Sequence, residues 1–228
     1  MFKKIVFVAL LWFPFSCQVK DDAGFIPIKQ DFIQQYLALF PDETPLSIDN
    51  QNSTTLHIPT QEVLDSVRDF HAFFSQKLKE NSSSSRAKNH ANDFAKMQVI
   101  LKNINLYLAN SQTNPSVYDV RPAFERLINT NFMPLTKRLD LIYDKLAFVP
   151  DFYDAAKKQL KNVSDKNADL AIQMSITTYI FFSEKLPQLL YQEKKLTPQY
   201  SERLEFTKMA IKDYIAFVES FRLEKTQK

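Results

Sequence analysis

Cys17 is the residue whose position most directly implies a reaction. It is the only cysteine in 228 residues, and it ends an apolar run that follows Lys3 and Lys4. A basic start, an apolar core over 5–15 and the small Ser16 before Cys17 form the pattern of a cleavable export signal. A cysteine directly after the cut is also what bacterial lipoprotein processing requires: its thiol takes a diacylglycerol, the signal is removed, and the new amino group is acylated. Several acyl chains on one residue hold a protein stably to a bilayer. Upstream, Pro14 and Phe15 stand where leucine and a small residue are usual, so cleavage by ordinary signal peptidase and an uncleaved anchor are the alternatives. The run is short of the roughly 20 residues that a transmembrane helix needs. Lys20, Asp21 and Asp22 then match the lysine-plus-acidic run by which some Gram-negative lineages send lipoproteins to the cell surface; a solvated tether is the plain alternative.

Few other residues have the types and spacing for chemistry. His57, His71 and His90 are the only histidines, and a zinc site wants three or four convergent His, Cys or carboxylate ligands. On a helical hairpin His71 and His90 stand roughly 14 Å apart at 1.5 Å rise per residue. His57, in a loop, has no spacing that asks it to join either, so surface or capping roles are expected, with no metal and no cofactor. Asp140 and Asp144 resemble an acid/base pair, but they fall away from the apolar face of their helix, beside Lys137 and Lys145, and read as a solvated, ion-paired face. Aromatic content is the feature that speaks for ligand binding, with Phe70, Phe73 and Phe74 or Tyr179, Phe181 and Phe182 as groove formers and core packing as the alternative. Phe73 falls off the Val67, Phe70, Phe74 stripe and widens that face; an exposed Phe73 surrounded by charge would count against a groove.

Composition bounds what can position these residues. The mature chain is long enough for one domain with a proper core and too short for two large ones. With the single cysteine committed to the anchor, neither disulfides nor a cysteine-based metal site is available. Basic and acidic residues nearly balance once Lys3 and Lys4 are removed, and they are interspersed, so no stripe suggests a nucleic acid. Gly24 is the only glycine, which excludes P-loops, dinucleotide fingerprints and the G-x-S-x-G nucleophile elbow. Large β-rich domains also use glycine at bulges and tight hairpins, whereas helices joined by Asn, Ser and Pro connections do not.

Periodicity supports an all-α, irregular bundle of seven or eight helices in a single domain. Phe32, Ile33, Tyr36, Leu37 and Phe40 mark a short helix over 29–40, followed by a long polar loop over 41–59. Thr60 caps a helix bearing Val63, Val67, Phe70, Phe74 and Leu78. Beyond the Ser82 to Ser85 connection, Phe94, Met97, Leu101, Ile104 and Leu108 mark its hairpin partner. Asn114-Pro115 breaks the chain, Pro122 opens a short helix, and Leu135, Leu139, Ile142, Leu146 and Val149 give a clean face up to Pro150. Asp151 is the expected cap of the next helix. The segment 170–190, apolar on more than one side, is the expected central buried helix with a kink near Pro187, and Thr197-Pro198 opens the last helix. The resulting layout is a signal peptide over 1–16, a lipidated cysteine and flexible tether over 17–28, a helical domain over 29–223 and a frayed tail over 224–228.

Several of these segments carry a resemblance. The run Asn131-Phe132-Met133-Pro134-Leu135, the helix after it, Pro150, and Ala171-Ile172-Gln173 with Phe181-Phe182-Ser183-Glu184-Lys185-Leu186-Pro187 resemble the amino-terminal helical half of the bacterial "domain of unknown function 885" family. Tyr36-Leu37-Ala38-Leu39-Phe40-Pro41 is similar to its "YLxLxP" opening, and Asn114-Pro115-Ser116-Val117-Tyr118 to its "DPxxY", with Asn114 in place of Asp. The resemblance implies a mostly helical protein, exported or lipid-anchored, related to candidate zinc peptidases whose carboxy-terminal half carries an H-E-x-x-x-x-H-H motif and a downstream glutamate. No His-Glu pair occurs in this sequence, so no catalytic residue carries over. The expectation is a lipoprotein at the bacterial outer membrane, facing outward, serving as a non-catalytic binding or scaffold module. Its partners would be the membrane, through the anchor, and a peptide or protein covering an apolar face. The alternative is the helical half of a split or truncated zinc peptidase.

Overall fold

Two faces read from the sequence meet in the first sub-core. Thr60 Oγ1 accepts the Val63 amide at 3.3 Å and opens α2 (Gln61–Asn81), whose Leu64, Val67, Phe70, Phe74 and Leu78 form an unbroken buried stripe. α3 (Ala91–Asn110) packs on α2 and turns Met97, Leu101 and Ile104 inward. The computed structural model describes residues 22–43, 54–81 and 90–226; Cys17, Lys20, Asp21, the Ser82 to Ser85 connection and most of the 41–59 loop lie outside the described residues.

α1 (Asp22–Leu39) completes this sub-core, and it starts well before residue 29. The expected tether over 17–28 is therefore helical from Asp22 onward. The cause is Phe25, fully buried, stacked on His90 with ring centroids 5.1 Å apart and tilted against Phe94 at 6.2 Å. Burying a phenylalanine is worth about 2 kcal/mol, which offsets much of what Pro27 costs the turn that contains it. This proline is the sixth residue of the helix, so it gives up the bond to the Ala23 carbonyl and crowds that oxygen. Phe32 follows, with Phe70 and Phe74 both at 5.0 Å, and Lys29 reaches Asp93 of α3 at 2.6 Å.

The second, larger core is built by α4 (Arg121–Asn129), α5 (Leu135–Leu146), α6 (Val149–Gln159), α7 (Asp165–Ile180), a π-helical turn (Phe181–Lys185), α8 (Leu186–Gln192) and α9 (Pro198–Thr226). With α7, the π turn and α8 taken as one rod, the described residues form eight helices and no strand. Asn114 caps the 3-10 turn Pro115–Val117 by accepting the Ser116 amide at 3.1 Å. Thr197 caps α9 through the Tyr200 amide at 3.2 Å.

Four expectations are corrected here. The cap of α6 is Phe148, while Pro150 and Asp151 lie inside its first turn; proline tolerates that place because the amide it lacks has no helical partner there. The segment 170–190 is not the central helix. α7 buries the small residues Ala168, Ala171, Ser175 and Thr178, which lets neighbours approach closely on one side while Leu170, Ile176 and Ile180 stay exposed on others. The spine is α9, which packs on α5, α6, α7 and the π turn and buries Tyr200, Leu204, Thr207, Ile211, Tyr214 and Val218. It also remains helical through Thr226, past the expected frayed start at 224. Finally, the disturbance near Pro187 lies upstream of it: the Leu186 amide bonds to Phe181 five residues back, and the widened turn precedes the proline that has no amide to continue the regular ladder.

Candidate functional site

α1 and α2 leave an open groove of about 500 Å³ between them. α1 supplies Gln35, Ala38 and Leu39, and α2 supplies Ser66, Asp69, Phe70 and Phe73. The spacing explains the lining: residues at i, i+3, i+4 and i+7 share one edge of a helix, here the edge beside the buried stripe. Phe73 stands 48 % exposed at the rim. Its ring meets Phe74 edge-on at 4.9 Å and 90°, and the Lys77 ammonium lies 5.5 Å from its centroid. Phe74 does not line the groove. It is fully buried behind it, 4.7 Å from Phe70 and 5.0 Å from Phe32, and holds both walls in place. Asp69 and Lys77 flank the exposed Phe73, the arrangement that counts against the expected groove on Phe70, Phe73 and Phe74, whereas Ala38, Leu39 and Phe70 give the depression its apolar lining.

A polar node fixes the end of α1 that forms one wall. His57 is buried, and its Nδ1 donates to the Leu39 carbonyl at 2.6 Å, capping α1. Since that oxygen can only accept, Nε2 is left to accept from the Tyr107 hydroxyl at 3.3 Å. The imidazole stacks on Phe40 at 4.6 Å, and burial pushes its pKa below the ordinary value, with the Leu39 carbonyl and Asp42 opposing. The segment on either side of residues 44–53 is held by two further cations: Arg126 donates to the Asp42 and Glu43 carbonyls, and Lys145 to the Thr55 carbonyl. Lys145 is only 1 % exposed, and desolvation lowers its pKa to about 8.

The other histidines do not join His57. His90 precedes α3 and stacks on Phe25, and His71 lines a separate depression between α2 and α3. Among the described residues no three His, Cys, Asp or Glu side chains are placed to hold a metal ion, and no helix is long and apolar enough to cross a membrane. Asp140 and Asp144 lie on a solvated face, paired with Lys195 at 2.7 Å and Arg203 at 3.8 Å. Lys145 leaves that face for the interior. The signal was present, because Arg138, Ile142 and Lys145 share one i, i+4, i+7 row, and Arg138 is buried too. Its guanidinium donates to the Met133 carbonyl at 3.0 Å and to the Leu127 and Ile128 carbonyls at the end of α4.

No family model matches the chain, and no curated protein matches it. The domain-of-unknown-function-885 assignment therefore rests on the motif resemblance alone. Among solved structures, the fold is similar to that of a candidate lipoprotein of unknown function from Shewanella oneidensis, with a TM-score of 0.73 and 22 % identity over 90 % of this chain. The chain spans 39 % of the length of that structure. The eight-helix arrangement is thus a fold that occurs within a larger chain.

Proposed function

We propose that the chain is an envelope lipoprotein, held at the outer membrane through acylated Cys17 and exported to the cell surface by Lys20, Asp21 and Asp22. There it presents a non-catalytic helical module whose α1–α2 groove takes an apolar segment of a peptide or protein. The location is supported by the Lys3–Lys4 start, the apolar run and Cys17, and by the fold shared with a candidate lipoprotein. The observation that carries the binding role is the open groove itself, in which Ala38, Leu39 and Phe70 give an apolar lining beside Gln35, Ser66 and Asp69; Phe73 stands half exposed at its rim between Asp69 and Lys77, which counts against a groove centred on that ring.

Palmitate labelling of cells, with Cys17→Ser as control, tests the anchor, and protease shaving of intact cells tests the exposed side. For the groove, a panel of short apolar and aromatic peptides should bind the wild-type protein and lose binding in Phe73→Asp while the melting temperature holds. Equal binding by both proteins would remove the groove from the proposal.

A second reading rests on the motif resemblance alone. The chain would be the helical half of a zinc peptidase whose metal-binding half is encoded separately. Stoichiometric zinc in the purified protein, or a His-Glu motif resuming in another frame downstream of the codon for Lys228, would favour that reading over the first.

A further inference from the structure

The first helix is apolar on two faces, and the sub-core covers only one of them. Phe25, Ile28, Phe32 and Tyr36 turn inward or pack against the sub-core, whereas Ile26 and Ile33 are 41 % and 43 % exposed. These two stand seven residues apart, so they share an outer row with Gln30 and the half-buried Leu37. From Ile26 to Leu37 that row carries no charge, and Asp22 stands one turn before it. Further along α1, Lys29 pairs with Asp93 and Asp31 accepts from Gln35 at 2.7 Å. A helix that is apolar on opposite faces is ordinarily covered on both.

We infer that the Ile26–Ile33 row of α1 rests on the lipid surface to which the chain is anchored. This rests on acylation of Cys17, the reading given above. Chain length selects the occupant: four residues separate Cys17 from Asp22, where α1 begins, and the five steps from one to the other span at most about 17 Å. Ile26 then lies roughly 6 Å and Ile33 roughly 17 Å along the helix from its start. Ile26 thus stays within about 23 Å and Ile33 within about 34 Å of the anchored cysteine, so both can reach the headgroups. Attachment also makes the contact intramolecular, so a small apolar row suffices where a free helix would need a longer one. With α1 lying on the lipid, the domain takes one orientation relative to the membrane.

The test uses the acylated full-length protein in vesicles of phosphatidylethanolamine and phosphatidylglycerol that contain spin-labelled lipid. Once Cys17 is acylated no native thiol remains, so Ile26→Cys, Ile33→Cys and, as control on α9, Glu205→Cys each accept one environment-sensitive fluorophore. The expected result is a shift to shorter wavelength and quenching by the spin-labelled lipid at 26 and 33, with neither at 205. Co-flotation with the vesicles while 26 and 33 behave like 205 would overturn the inference and leave the anchor standing. A shift that appears without vesicles and grows with protein concentration would assign the row to a second copy of the chain. Failure of the acylated preparation to float would end both readings.

Discussion

Lys145→Met isolates the most unusual charge in the fold. The ammonium is 1 % exposed, and its pKa falls from the ordinary 10.5 to about 8, chiefly by desolvation, with Asp42 opposing and Arg126 adding to the fall. A displacement of that size corresponds to about 3 kcal/mol favouring the neutral form over the charged one in the folded state. At neutral pH both folded and unfolded chains carry the proton, so this cost is fully present. As the pH rises above about 8 the folded chain releases the proton while the unfolded chain keeps it, and stability climbs by up to about 1.4 kcal/mol per pH unit. The buried tyrosines oppose this only above about pH 10, because burial raises the pKa of Tyr107, Tyr118, Tyr153, Tyr200 and Tyr214, and the unfolded chain then ionises first. Methionine keeps most of the stem and removes the charge, at the expense of the bond to the Thr55 carbonyl, worth about 1–3 kcal/mol. The variant should therefore lie between neutral and about 2 kcal/mol more stable at neutral pH. Urea denaturation at steps between about pH 7 and pH 9.5 should show an alkaline rise of about 2 kcal/mol in the wild type and none in the variant. Equal slopes in the two proteins, or a loss of several kcal/mol at neutral pH, would refute the reasoning.

His57→Asn should flatten the acid limb: burial holds the imidazole below its usual pKa, so the unfolded chain protonates first and wild-type stability falls as the pH drops below about 6.5, checked by melting temperature against pH. Phe74→Ala should cost about 3–5 kcal/mol in denaturant unfolding, because the ring is fully buried between Phe32, Phe70 and Phe73. Phe73→Ala, half exposed, should cost within about 1 kcal/mol while weakening peptide binding. Tyr200→Phe removes a buried hydroxyl that donates to the Leu139 carbonyl at 2.9 Å and should cost about 1–3 kcal/mol in the same assay.

What sequence reasoning reaches and what it misses divide along the range of the interactions. The stripe of α2, its Thr60 cap and the Thr197 opening of α9 are set by residues within one or two turns, and periodicity finds them. The helical start at Asp22 escapes, because Gly24 and Pro27 signal a tether while the force that overrides them is the contact of Phe25 with His90 and Phe94 in α3. The polar node escapes for the same reason. Lys145 and Arg126 bond to backbone carbonyls about ninety residues away in the chain, and no spacing encodes a carbonyl partner. In the groove, the off-stripe position of Phe73 was legible as a widened face, and its half-exposed ring between Asp69 and Lys77 was not. That Phe74 supports the walls and Ala38 and Leu39 face Phe70 needed the packing of α1 on α2.

The central claim is attachment, and the mass of the amino-terminal peptide tests it most directly. Protein extracted from native membranes with detergent and digested should yield a peptide that begins at Cys17 and carries diacylglycerol on sulfur and an acyl chain on nitrogen, absent from Cys17→Ser. A peptide beginning at any other residue, or one that begins at Cys17 with a free thiol, would contradict it.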